Sequence, residues 1–100
     1  MIVITKYDNR ITIKGHANYA PPGQDIVCAS VSILVQVMIK CIEDMTEDKI
    51  EYSIQPGMVD IEYRNFSEKA QLLVSSFFIG AQMIADQYPN NVRLDQALMS

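Results

Sequence analysis

The sequence predicts an α/β fold of the α+β type: a small antiparallel or mixed sheet with two helices packed on it, in the order ββαββα. Three observations predict it. Short segments of alternating, β-branched residues come in two pairs, each pair joined by a two-residue turn signal. Each pair is followed by a long stretch whose apolar residues recur at helical spacing. The chain has 100 residues and no internal repeat, low-complexity segment or linker, so residues 1–100 make one domain. A core of that size gives modest stability, which dimerisation would raise.

Each element has its own reason. Residues 2–7 alternate loosely and are rich in β-branched side chains, giving a first strand. Asp8-Asn9 is a turn pair, and residues 10–14 alternate cleanly with Ile11 and Ile13 facing inward. Gly15 and the Pro21-Pro22-Gly23 cluster then bound an irregular loop. A first helix runs over 26–45, apolar around nearly its whole circumference and therefore expected to be largely buried, with Val27, Val31, Leu34, Val35, Met38 and Ile42 in the core. Glu43-Asp44 oppose the helix dipole, so its end is expected to fray. Residues 49–55 and 58–63 flank Pro56-Gly57 as a second hairpin, with Ile50, Tyr52 and Ile54 on one face of the first strand, Val59, Ile61 and Tyr63 inward on the second, and Glu51, Asp60 and Glu62 on a face that is solvated or, alternatively, meets a basic substrate. Asn65 and Glu68 have the spacing of a capping box, opening a second helix that Pro89 ends after about Gln87.

Composition narrows the function classes. A net charge of −4 and a pI near 4.7 leave no basic patch for nucleic acid. Residues 26–42 are the longest apolar run, broken by Ser30, Ser32, Gln36 and Lys40, and are expected to be too polar and too short to cross a membrane. Met1 leads directly into a strand, so no signal peptide is expected and the protein is placed in the cytoplasm. The two cysteines, Cys28 and Cys41, lie thirteen residues apart on one helix and point to different faces. With one histidine and no Cys-x-x-Cys, neither a metal site nor a cofactor is expected. The apolar content of 49% and mean hydropathy of +0.06 fit a helix face buried against a second copy, a homodimer.

The chemistry concentrates in residues 15–32, which hold the only histidine and one cysteine. Asp25 is a good N-cap, which puts Cys28 at N3, in the first turn of the helix. The positive helix end favours a thiolate there, but supplies only about 0.3–1 kcal/mol. A second group is needed, and His16 is the one imidazole available to take the proton or to hold the charge. Ser32, four residues past Cys28, shares its helix face and is placed to donate to the sulfur or to a bound peptide. Backbone N–H groups near Cys28 are candidates for an oxyanion hole. Gly15 removes a side chain where a substrate backbone would approach.

Gly15-His16-Ala17, Tyr19-Ala20, Gly23, Asp25-Ile26-Val27-Cys28-Ala29 and Val31-Ser32 resemble the signature of Prp, the ribosomal-processing cysteine protease family of Firmicutes and some of their phages. The resemblance extends to the closing Gln87-Tyr88-Pro89-Asn90-Asn91-Val92. It implies a nucleophile at Cys28, its partner at His16, and Gly15, Asp25 and Ser32 in the same site. It also implies a homodimer of mixed α/β fold, and a protein substrate: an N-terminal extension on a large-subunit ribosomal protein, cut after a short apolar stretch. For phage members the resemblance implies scaffold or capsid proteins instead. Three features depart from the pattern. Pro21-Pro22 stiffens the loop, Ser30 stands where a second alanine is common, and a tail from Leu94 to Ser100 runs past the usual end. Two other readings compete: a non-catalytic dimeric adaptor with a buried cysteine, and a thiol hydrolase of small acyl substrates with the Pro-Pro-Gly loop as its lid.

Overall fold

The computed structural model describes residues 1–96. It contains β1 (Ile2–Lys6), β2 (Arg10–Lys14), α1 (Ile26–Met45), β3 (Ile50–Gln55), β4 (Met58–Tyr63), α2 (Glu68–Gln87) and β5 (Val92–Gln96). The predicted ββαββα order is present, with one strand added after it. The five strands form a mixed sheet in the order β3-β4-β2-β1-β5. Every neighbouring pair is antiparallel except β1 and β5, which run parallel with Ile2 opposite Val92. The tail expected from Leu94 is therefore partly strand, and residues 97–100 lie outside the described region.

One face of the sheet carries the core. Ile4, Ile13 and Val59 sit side by side across three strands, and Ile11 and Ile61 across two, and Ile4, Ile11 and Ile61 are fully buried. Burying each such side chain contributes about 1.5–3 kcal/mol. Both helices meet these residues in a single cluster that includes Val27, Val31, Val35, Met38 and Ile42 from α1 and Ala70, Val74, Phe77 and Ala81 from α2. Leu34 of α1 is half-buried against it. The opposite face bears Arg10, which donates both Nε and Nη2 to Asp60, at 2.8 and 2.5 Å. That fork holds the Asp60 carboxyl below its ordinary range. The acidic face is thus paired in part rather than purely solvated.

Several local expectations change. Helix α1 is not buried all round: Ile26, Ile33, Val37 and Met45 are exposed. Tyr52 and Ile54 are about half exposed although they point to the helix side, because β3 is an edge strand that α1 covers only in part, leaving a cleft between them. By length and composition α1 does qualify as a membrane-crossing helix, against expectation; in this fold its buried stripe packs on the sheet. Its last turn runs to Met45, where Thr46 caps the Ile42 carbonyl and Lys40 pairs with Asp44 at 3.4 Å. Asn65 does not cap α2. It sits in the turn at φ +52, and Ser67 is the N-cap, accepting from Ala70 N–H.

Candidate active site

Strand β2 ends at Gly15, whose N–H donates to the Gly57 carbonyl at 2.9 Å. Gly15 has φ +95, and a Cβ there would overlap the Met1 carbonyl oxygen. The glycine is required by that close backbone approach. The next residue, His16, is exposed at the sheet end. Its Nε2 lies against Gly57 of the β3–β4 turn: a Cβ on Gly57 would come within 2.9 Å of it. Gly57 has φ +73, so both the turn and the imidazole favour its lack of a side chain.

The loop then folds back onto the start of α1. Ala17 is 1% exposed, and its N–H donates to Cys28 Sγ at 3.3 Å. The residue after the histidine therefore touches the sulfur directly. Among the hydrogen bonds of the described residues, the imidazole makes none to Sγ; it shares with Cys28 an open cleft of about 770 Å³, which Ser32 and Asp25 also line. Catalytic hydrogen bonds are often loose before substrate arrives.

Asp25 organises this end of the helix. One carboxylate oxygen accepts from Val27 N–H at 3.0 Å and Cys28 N–H at 2.9 Å. The other accepts from Tyr19 N–H at 3.0 Å and Ala20 N–H at 3.4 Å. The donation from Cys28 holds the carboxyl below its ordinary range; burial opposes it, and the Tyr19, Ala20 and Val27 donors add to the lowering. Asp25 thus joins loop to helix as well as capping it. These bonds also correct the expected oxyanion hole. The N–H groups of Val27 and Cys28 are spent on Asp25, and that of Ala29 on the Asp25 carbonyl. Ser32 Oγ accepts from Gln36 Nε2 at 2.9 Å, and no bond from it reaches the sulfur among the described residues.

The family model described as cysteine protease Prp matches residues 1–93. The chain belongs to the Prp family. It is accordingly a cysteine protease. A Prp from Mycoplasma genitalium is 31% identical over 98 residues, covering 96% of both chains. One from Bacillus subtilis is 32% identical over 90 residues, covering 80% of this chain and 78% of its own. The crystal structure of Staphylococcus aureus Prp with a covalently linked product peptide superposes with a TM-score of 0.87 at 25% identity, covering 96% and 97% of the two chains.

The Prp fold brings Gly15, His16, Asp25, Cys28 and Ser32 to one end of the helix–sheet layer, while Cys41 lies thirteen residues further along α1. Sequence reasoning missed two neighbours of the site. Gly57 arrives from a turn signal that named only a hairpin. Asn91, in the closing segment of the resemblance, donates its side-chain N–H to the Ala17 carbonyl at 2.9 Å.

Proposed function

We propose that this Prp-family protease is an endopeptidase that removes an N-terminal extension from a large-subunit ribosomal protein, with Cys28 as nucleophile and His16 as its acid–base partner. The observation that carries the assignment is the half-buried Cys28 sulfur, held by Ala17 N–H beside the lone histidine in an open cleft. Cys28 Sγ attacks the scissile carbonyl as His16 takes the thiol proton. The imidazolium returns that proton to the leaving amine; water, deprotonated by His16, then attacks the thioester carbonyl, and the C–S bond breaks as the Cys28 sulfur regains the proton from His16. Ser32 keeps a hydroxyl proton for a substrate carbonyl, because the bond it makes to Gln36 uses its lone pair. Asp25 keeps loop and helix start in register, and Gly15 lets the strand end approach residue 1.

The relatives named above are bacterial enzymes called ribosomal processing proteases, which favours a ribosomal over a phage structural substrate. On this reading residues 1–100 are one cytoplasmic domain with a peptide partner, and neither nucleic acid nor membrane is engaged. Exposed Ile33, Val37, Tyr52 and Ile54 on α1 and β3 suit a homodimer, which sedimentation at micromolar concentration tests: a monomer throughout refutes it. The function is tested with three substrates: a peptide spanning a ribosomal-protein extension, a scrambled peptide, and a small thioester. Cleavage at one bond of the first alone is expected. Faster turnover of the thioester would favour the hydrolase reading, and cleavage retained by Cys28→Ala would remove the proposed nucleophile.

A further inference from the structure

We propose that Asn91 is a positioning residue for the nucleophile, acting through Ala17 to hold the N–H that faces Cys28 Sγ; the proposal rests on the reading of Cys28 given above. The Asn91 amide donates to the Ala17 carbonyl at 2.9 Å across 74 residues of chain. The N–H of the same Ala17 donates to the sulfur at 3.3 Å. Both polar groups of one residue are therefore fixed, one by Asn91 and one on the nucleophile.

Asn91 itself is rigidly held. Its N–H donates to the Tyr88 carbonyl at 2.9 Å, and its carbonyl accepts from Ile2 N–H at 2.8 Å. It is thus tied to the end of α2 on one side and to β1 on the other. The Tyr88 ring also meets the Tyr19 ring edge-on, 5.3 Å between centroids. The loop after His16 leaves the sheet ladder at Gly15, so its backbone takes its position from such distant anchors. An N–H donated to sulfur favours the thiolate over the thiol, since the charged form is the stronger acceptor. The Ala17 N–H lies in the His16–Ala17 peptide, whose carbonyl accepts from the Met1 N-terminus at 2.6 Å; the Asn91 amide holds the adjoining Ala17–Asn18 peptide, so its loss frees one of the two clamps on Ala17 and weakens that preference.

The test uses a Cys41→Ser background, in which Cys28 is the sole thiol. Asn91→Ala and the isosteric Asn91→Asp, which places an acceptor opposite the Ala17 carbonyl, are compared with it. Three quantities are read: the pH dependence of Cys28 alkylation by iodoacetamide, kcat and KM on the extension peptide, and the melting temperature. The expected result for both variants is an alkylation midpoint moved to higher pH, with kcat down about tenfold and KM within about twofold. Asn91→Asp keeps the side-chain shape, so the question survives if Asn91→Ala does not fold. A lowered melting temperature with an unmoved alkylation midpoint would overturn the proposal and leave Asn91 a purely structural residue. Cleavage surviving in Cys28→Ala would refute the nucleophile reading instead, and the alkylation profile would still decide the role of Asn91.

Discussion

The two helices of this fold begin in closely similar ways and do different things. Both are 20 residues long, both pack on the same sheet, and each is capped by a side-chain oxygen. The N3 residue is Cys28 in α1 and Ala70 in α2, and each cap accepts that residue's N–H, Asp25 at 2.9 Å and Ser67 at 3.2 Å. The difference lies in what the cap does with its remaining capacity. Ser67 donates its hydroxyl to Asp48, which closes the α2 start against the preceding loop, and Ala70 is wholly buried. Asp25 spends its second oxygen on Tyr19 and Ala20, drawing in the loop that carries His16 and Ala17 while Cys28 stays half-buried in an open cleft. A capped helix start is therefore not in itself a catalytic site. It becomes one when the cap also gathers a chemically equipped loop and leaves the N3 side chain accessible.

The comparison can be broken most severely by Cys28→Ala, which makes the two N3 positions alike. Peptide cleavage is expected to fall by about a thousandfold or more, with little change in melting temperature. Next comes Gly57→Asn. Asparagine tolerates the turn's φ of +73, but its Cβ would press on His16 Nε2, so kcat should drop about tenfold or more while circular dichroism stays unchanged. The reciprocal variant Ala70→Cys sharpens the point: with no accessible surface at that position, its thiol should alkylate at least about tenfold more slowly than Cys28. Asp25→Asn tests the doubled cap through pH. The folded carboxyl titrates below the ordinary 3.8, so its stabilisation is complete above that value and is lost as pH falls through the folded one. The gap in melting temperature between wild type and Asp25→Asn should therefore close on acidification below 3.8 and stay constant above about pH 5. Last, Ser67→Ala should cost about 1 kcal/mol of stability, read by denaturant melt, and leave the cleavage rate alone.

The elements legible in the sequence are those whose stability is written locally. The alternation around Asp8-Asn9 and Pro56-Gly57 and the helical spacing of Val27, Val31, Val35 and Ile42 announce hairpins and helix without tertiary knowledge. Strand β5 was not legible. Val92 and Leu94 are its only apolar residues, and its order comes from a parallel ladder with β1, at the far end of the chain. The exposure of Tyr52 and Ile54 is another property of the assembled sheet, since nothing in their own alternation says that β3 would become an edge. In the site, Cys28 at N3 follows from Asp25, and His16 from being the sole imidazole. That Asp25 would take the N–H groups of Val27 and Cys28 follows from the capping role itself, but its bonds to Tyr19 and Ala20 could not be foreseen, because capping rules count the helix donors and not those a loop brings. Gly57 and Asn91 reach the site from far along the chain, so no local spacing connects them to it.

The account stands or falls on which thiol carries the acyl group. Wild-type protein mixed with the extension peptide, quenched in acid within the first turnover and digested for mass spectrometry, should show a thioester on Cys28 and none on Cys41, and His16→Ala should form it far more slowly. An acyl group on any other residue, or unimpaired peptide cleavage by Cys28→Ala, would contradict it.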